Sequence, residues 1–212
     1  MKMIKDNIKN EFLDQIKIEV PFYGWTKEML FEVEKKLSLD KNYHILLFPG
    51  ELKEIVTLFE ESLDDYMAQI FEKNFSGKEM KVRDKIKEAI KIRLEGKDKN
   101  NKILLSKLNS FYFTVNNFTL AYKNFWRTVD KIWYLAGDKS VDFNYYTKRG
   151  LLFTVYKSTF LYYINSDSNE ATWSFLDKRI QDVMKLGNVK NIPKIIDKIK
   201  DKIPFFRLRN KR

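Results

Sequence analysis

Helical spacing of apolar residues, rarely interrupted, is the sequence feature that most constrains the fold of this chain. The 212 residues include only 7 glycines and 4 prolines, so few turns are available and long helices are favoured. Apolar residues recur every three or four positions along most segments, as they do on one face of an α-helix. No segment with the two-residue period of a β-strand is long enough to define one. The sequence therefore predicts an all-α fold.

Predicted helices cover almost the whole chain, and glycine, proline and capping residues set their bounds. Thr26 is placed to cap the second helix, Pro49 and Gly50 separate the third from the fourth, and Gly137 is a plausible C-terminal cap of the sixth. The predicted helices are 1–18, 26–37, 39–48, 50–75, 80–94, 109–136, 143–164 and 169–185. Two short helices ahead of a long one outline a helix-turn-helix head joined to a helical body.

Residue types needed for catalysis or metal binding are scarce in this chain. It has no cysteine and a single histidine, His44, so thiolate sites and the Glu-x-x-His pairs of a di-iron bundle site are not available. No glycine-rich phosphate loop is present, and His44, among apolar neighbours, is predicted to be structural. A solvated helix face is predicted for four acidic residues: Glu60, Glu61, Asp64 and Asp65. We therefore predict a protein that is not an enzyme and has no metal or cofactor.

Specific sequence motifs are concentrated in residues 136–184. Residues 136–149 read AGDKSVDFNYYTKR, residues 155–161 read VYKSTFL, and residues 172–180 read TWSFLDKRI. Upstream, GWT stands at 24–26 and LFPGEL at 47–52. Over most of residues 22–184 this pattern resembles the Coq-nine family, the lipid-binding accessory proteins of ubiquinone biosynthesis.

The resemblance implies a TetR-like fold and a role without catalysis. A member of this family is expected to bind an isoprenoid lipid or quinone intermediate and to present it to the demethoxyubiquinone hydroxylase, a membrane-bound di-iron enzyme. Asp142, Tyr145 and Tyr146 match the family's partner-contact motif, although many relatives have tryptophan where this chain has Tyr145. The alternative for this segment is a capped loop with packed tyrosines.

The helix-turn-helix outline raises the question of DNA binding, and its charge argues against it. Residues 20–75 carry 6 basic and 11 acidic side chains, a net charge of −5, whereas affinity for DNA comes mainly from cations that neutralise phosphates. The stretch at the position of a recognition helix, 39–45, holds one lysine and no arginine. We expect no nucleic-acid partner, and a ligand-responsive TetR-type transcriptional regulator stays open as the alternative function.

Two aromatic-rich helices in the second half of the chain are candidates for a lipid cavity. A helix that is apolar on all sides is buried, so the alternatives are a packed core or a homodimer interface formed by the last two body helices. The family resemblance favours an elongated lipid-binding cavity. Its predicted lining residues are Phe118, Tyr122, Phe125, Trp126, Val129, Trp133, Leu152, Val155, Tyr156 and Phe160.

The last 28 residues carry 10 basic and 2 acidic side chains, and their isoleucines recur every three or four positions and form one narrow apolar stripe. A lysine-rich polar face beside an apolar face describes a helix that lies on an anionic membrane surface. We divide the chain into a lipid-binding domain, 1–186, and a basic amphipathic membrane-docking tail, 187–212. The alternatives are a tail folded back on the body, or a general membrane-surface adaptor. The predicted membrane-binding residues are Ile192, Lys194, Ile195, Ile196, Lys198, Ile199, Lys202, Ile203, Phe205 and Phe206.

The expected cellular location rests on two kinds of segment that we do not find in the sequence, membrane-spanning helices and targeting peptides. No apolar run approaches the roughly 18 residues or more that a membrane-spanning helix needs. The first residues mix acids and bases, unlike a secretory signal or an acid-poor transit peptide. We expect a cytoplasmic protein of bacterial type that associates peripherally with the inner face of the membrane.

Overall fold

The computed structural model describes residues 2–140 and 143–187, and the regular structure within them is helical. This part of the chain contains no β-strand, which confirms the all-α prediction. Its helices, in chain order, are α1 (Lys2–Tyr23), α2 (Lys27–Lys36), α3 (Tyr43–Leu47), α4 (Glu51–Phe75), α5 (Val82–Glu95), α6 (Asn101–Tyr112), a 3-10 helix (Val115–Asn117), α7 (Phe118–Leu135), α8 (Phe143–Asn165) and α9 (Asn169–Gly187).

The head of the molecule is built from α1, α2 and α3 and is tied to the body through α6. Thr26 caps α2 as predicted, since its Oγ1 accepts a hydrogen bond from the backbone N–H of Met29 at 3.3 Å. The buried Trp25 donates from Nε1 to the carbonyl of Leu104 in α6 at 3.3 Å. Helix α1 continues past its predicted end at residue 18, because Val20 is fully buried against the core.

His44 is a buried structural residue, as predicted. Its Nδ1 lies 2.5 Å from Oε1 of Glu34, a carboxylate that is also buried. The same carboxylate accepts hydrogen bonds from the backbone N–H groups of Asn42 and His44 and so holds the start of α3. The neighbouring side chains that α3 exposes are apolar, Ile45 and Leu46.

The predicted helix over 109–136 is wrong, because the structure divides this segment. Helix α6 begins at Asn101 and ends at Tyr112, and a 3-10 helix separates it from α7. Side chains cause the break: Thr114 Oγ1 and Asn117 Nδ2 each donate to the carbonyl of Phe111 at 3.0 Å. Such local hydrogen bonds compete with continuation of the backbone ladder.

The body packs α4, α5, α7 and α8 around one another, with α9 against α8 and α5. Its buried apolar side chains are continuous with those of the head in a single cluster. The stripe of α4 faces this cluster with Ile55, Val56, Leu63 and Met67. Helix α7 therefore has α4 and α5 on one side and α8 on the other, and its first turn lies at the edge of the core.

Candidate functional site

An open groove lies where α6 ends and α7 begins, and α8 closes its inner side. Its volume is about 590 Å³. Most of its walls are aromatic or aliphatic, with one lysine on α8. The lining residues are Asn109, Tyr112, Phe113, Thr114, Val115, Phe118, Thr119, Ala121, Tyr122, Phe125, Phe153 and Lys157.

The inner wall of the groove is a set of aromatic rings in mutual contact. Phe125 is at its centre, with its ring 6.1 Å from that of Phe153 and 5.3 Å from that of Phe160, both edge to face. Tyr122 contacts Phe153 at 5.6 Å and stacks on Trp126 at 5.8 Å. Rings in this arrangement form a firm apolar surface, so the inner wall of the groove is well packed.

The outer rim of the groove exposes large apolar side chains to solvent. Phe113 is 77% exposed, Val115 93% and Phe118 71%. The break between α6 and α7 brings these three residues together on one turn. Clustered apolar exposure of this kind marks a surface that meets a ligand, a membrane or another protein.

Lys157 is the only cation that lines this groove among the residues that the structure describes. Its Nζ lies over the ring of Phe125, 4.4 Å from the centroid, and 5.4 Å from the centroid of Phe160. Burial lowers the pKa of Lys157, and the nearby carboxylate of Glu60 acts in the opposite direction. The ammonium group has no hydrogen bond or ion pair with a described residue, so it faces only ring carbons and the groove.

A buried ionic network lies directly behind the groove. Tyr112, which lines the groove, donates from its hydroxyl to Glu60 Oε1 at 3.1 Å and accepts from Asn124 Nδ2 at 2.8 Å. Arg93 has no exposed surface; its Nε donates to Asp64 Oδ1 at 2.6 Å, and its Nη2 pairs with Glu60. Burial raises the pKa of Glu60, although Arg93 opposes this effect. The network joins α4, α5, α6 and α7.

The prediction of a solvated acidic face on α4 is therefore wrong for two of its four residues. Glu60 and Asp64 point into the core, whereas Asp65 pairs with Lys131 at 2.6 Å on the surface. The outward residue Glu61 and the buried Asp64 share Arg127. The spacing carried a signal: Glu60 and Asp64 follow Val56 at intervals of four and so continue the apolar stripe.

The predicted lipid-lining residues divide into three groups in the structure. Phe118, Tyr122 and Phe125 line the groove, and Trp126 stacks on one of them. Trp133 is half-buried and donates from Nε1 to the carbonyl of Lys148 at 3.1 Å. The remaining residues lie in the packed core: Val129, Leu152, Val155, Tyr156 and Phe160.

Sequence reasoning missed much of the groove itself. Phe113, Val115, Phe153 and Lys157 were not predicted to line a site, yet they form its rim and inner side. The cause is the undetected break after Tyr112, since a continuous helix would have carried these side chains along its length. A Thr and an Asn in an apolar helical pattern, each able to bond to a nearby carbonyl, are the available signal.

The segment with the partner-contact motif is held by salt bridges. Of its three predicted residues, Asp142 lies outside the described residues. Tyr145 donates from its hydroxyl to Asp130 Oδ1 at 2.9 Å, and the Arg149 guanidinium lies 3.4 Å from the centroid of its ring. Tyr146 is partly exposed, with its ring 5.1 Å from that of Tyr145. The structure thus places both tyrosines side by side near the start of α8.

Asp138 offsets the two cations in the first turns of α8. It pairs with Lys148 at 2.7 Å and with Arg149 at 3.0 Å. Burial alone would raise the pKa of Asp138, but hydrogen bonds from Lys148, Ser140 and Arg149 outweigh it and lower the pKa to about 2. Asp138 thereby compensates for the unfavourable position of these two cations near the N-terminal end of α8.

We expect Asp138→Asn to lower the free energy of unfolding by about 2 kcal/mol at pH 7. Since the folded pKa lies below the ordinary value of 3.8, the stabilisation is complete above that value and disappears as the pH falls through about 2. Urea unfolding of both proteins between pH 7 and pH 2 measures the difference. Asp98→Asn, at an exposed position, serves as the control. A difference that persisted at pH 2 would contradict the assignment.

Other features of the described residues bear on membranes and metals. Among them, no helix is long and apolar enough to cross a membrane. They also contain no cluster of histidine and acidic residues suited to hold a metal ion. The predicted membrane-binding residues from Ile192 to Phe206 lie outside the described residues.

The comparisons with known proteins converge on one family. Residues 118–187, which cover α7 to α9, match the model of the COQ9 family. The probable ubiquinone biosynthesis protein coq9, mitochondrial, of Dictyostelium discoideum is 29% identical over 198 residues, covering 87% of this chain and 62% of its own length. The ubiquinone biosynthesis proteins COQ9, mitochondrial, of Bos taurus and Homo sapiens are 28% and 26% identical over 80% of this chain and 55% of their own length.

The chain is therefore similar to the COQ9 family, as the motif resemblance predicted: over α7 to α9 it matches the family model, and over 80–87% of its length it is 26–29% identical to these three relatives. It spans between 55% and 62% of the length of these three relatives. The family match covers the inner wall of the groove and the paired tyrosines, but α6 and its exposed end lie outside it.

Proposed function

We propose that this protein is a non-catalytic, lipid-binding accessory protein of ubiquinone biosynthesis. It binds an isoprenoid quinone intermediate in the groove between α6, α7 and α8, and presents it to the demethoxyubiquinone hydroxylase. The observation that carries this proposal is the open apolar groove with its exposed rim of Phe113, Val115 and Phe118. Similarity to the COQ9 family supports the pathway, since the relatives are named ubiquinone biosynthesis proteins.

The size and shape of the groove suit a flexible lipid. Ligand pockets usually have volumes of about 300–1,000 Å³, and this groove, at about 590 Å³, holds a ring and part of an isoprenoid chain. Because the groove is open along its rim, the rest of the chain can remain in a bilayer. An exposed aromatic and aliphatic rim is suited to contact with the apolar edge of a membrane.

The proposed mechanism is extraction and transfer, with redox chemistry left to the partner. The rim lies against the bilayer, the ligand enters sideways, and the packed rings of Phe125 and Phe153 form the inner wall against which it rests. The basic tail, 187–212, would hold the protein at an anionic surface by charge and apolar insertion. A TetR-like arrangement of the helices, a homodimer through α8 and α9, and a location at the inner face of the membrane belong to the same proposal.

The surface around the start of α8 is proposed to meet the hydroxylase. Tyr145 is fixed by Asp130 and Arg149, so it provides a rigid support, and Tyr146 beside it presents a partly exposed ring. Tyrosine is enriched at binding hot spots because it combines a large apolar face with a polar group. The motif residue Asp142 belongs to the same proposed contact.

We expect Tyr146→Ala to weaken binding to purified hydroxylase about tenfold, the usual loss for a hot-spot aromatic residue. Tyr23→Ala, at a tyrosine of similar exposure in the head, should leave that affinity unchanged. The measurement is equilibrium binding of the full-length protein to the hydroxylase in liposomes. Equal affinities of the wild type and Tyr146→Ala would exclude this surface.

The function itself is tested by reconstitution of the hydroxylase with demethoxyubiquinone in anionic liposomes. Addition of the protein should increase the rate of hydroxylation, and the Tyr146→Ala variant should do so only at higher concentration. A rate that does not depend on the protein, although the protein binds lipid, would contradict the accessory role at this step.

A further inference from the structure

An uncompensated charge on the inner side of the groove carries an inference about which part of a ligand binds there. Lys157 is half-buried, and its Nζ lies 4.4 Å from the centre of the Phe125 ring. No carboxylate or carbonyl of the described residues is within hydrogen-bonding distance of it. Glu60, the carboxylate whose charge acts on Lys157, is already engaged by Arg93 and Tyr112.

This arrangement disfavours a purely hydrocarbon ligand. Filling the groove with an alkyl or isoprenoid chain would remove water from the ammonium group and give it no acceptor in exchange, which is costly. The rings of Phe125 and Phe160 compensate in part, because a cation is attracted to the face of an aromatic ring. A ligand that brings an oxygen acceptor to Nζ would satisfy the remaining hydrogen-bonding capacity.

The surroundings of Lys157 also distinguish between polar head groups. A phosphate carries one or two negative charges and is normally held by several donors, but the described lining of the groove offers a single cation. A flat ring with neutral oxygens fits better, because the ammonium lies over the ring of Phe125, which continues into the aromatic surface of Phe153 and Tyr122.

We propose that Lys157 donates a hydrogen bond from Nζ to a ring oxygen of the quinone or phenol head of the isoprenoid ligand. The head lies against Phe125 and Phe153, and the isoprenoid chain leaves over the rim at Phe118. This inference rests on the proposed function, and it assigns both the polar end of the ligand and its direction in the groove.

The test compares probes that differ in their head groups, using the full-length protein and isothermal titration calorimetry. The probes are ubiquinone-2, farnesol and a lysophosphatidate. Lys157→Met removes the charge and retains an unbranched side chain, whereas Lys157→Arg retains the charge. Lys123→Met is the matched control, since Lys123 is an exposed lysine of α7 that does not line the groove.

Lys157→Met is expected to weaken binding of ubiquinone-2 at least tenfold, because a hydrogen bond to a charged donor is lost. Its affinity for farnesol should change less than twofold. Lys157→Arg should recover most of the quinone affinity, and Lys123→Met should match the wild type. This set of results would support the assignment, and circular dichroism would establish that the variants are folded.

Other results would overturn the inference in distinguishable ways. Ubiquinone-2 affinity unchanged in Lys157→Met would remove the role of Lys157 and leave the lipid-binding proposal in place. A loss confined to lysophosphatidate would identify a phosphate ligand, and a quinone affinity that fell with rising protein concentration would identify a second copy of the chain as the occupant. If the wild type bound none of the probes, this inference and the proposed function would both be overturned.

Discussion

Replacement of Arg93 by methionine should cost about 3–5 kcal/mol of unfolding free energy, the usual effect of removing one partner of a buried ion pair. Arg93 has no exposed surface and is the cation between Glu60 and Asp64. Without it, two buried carboxylates lie next to each other with much of their compensation removed. Because the free energy of unfolding of most domains is about 5–15 kcal/mol, the loss expected from this single substitution is a large fraction of it.

Urea unfolding followed by circular dichroism measures the effect of Arg93→Met. Arg83→Met, at an exposed arginine of the same helix, should change stability by less than about 0.5 kcal/mol. Adding Glu60→Gln and Asp64→Asn to Arg93→Met should recover part of the loss, since neutral amides are less costly to bury than unpaired charges. If the Arg93 and Arg83 variants were equally stable, the network would not have the structural role described here.

Two acidic substitutions on the rim should abolish lipid binding without unfolding the protein. Phe118 and Tyr122 lie one turn apart on α7 and contribute apolar surface to the groove, yet both are exposed. Phe118→Asp with Tyr122→Asp would place two charges where the ligand lies, and burying a carboxylate against a lipid without a partner is strongly unfavourable. We expect lipid recovered by solvent extraction from the purified variant to fall at least tenfold.

A control on the same helix separates loss of the groove from loss of the fold. Tyr134 is 73% exposed near the other end of α7 and does not line the groove. Tyr134→Asp should retain the lipid content of the wild type, and all three proteins should have the same helical circular dichroism spectrum. Undiminished lipid in the double rim variant would show that the ligand lies elsewhere in the protein.

The sequence was most informative where capping and periodicity agree. The Thr26 cap of α2 and the long helices α4, α8 and α9 could be predicted, because each combines a start or stop signal with an uninterrupted apolar pattern. The break after Tyr112 could not, since apolar spacing continues across it and the bonds from Thr114 and Asn117 to Phe111 depend on a turn already formed.

The burial of charged residues could not be predicted from the sequence either. Glu60 and Asp64 are predicted to lie on the surface when α4 is considered alone, because burial of a carboxylate is favourable only with a partner. That partner, Arg93, is supplied by a different helix 33 positions away from Glu60. Of the residues that line the groove, Phe118, Tyr122 and Phe125 were among the predicted lipid-binding residues. The rim at Phe113 and the cation at Lys157 required knowledge of how α6, α7 and α8 meet.

The most direct test of the account is native mass spectrometry of the full-length protein, with extraction and identification of the lipid that it releases. The account predicts one isoprenoid lipid per chain, lost when the rim carries Phe118→Asp and Tyr122→Asp and kept in Tyr134→Asp. A protein that carries no lipid, or only phospholipid in amounts that the rim variants do not change, would contradict it.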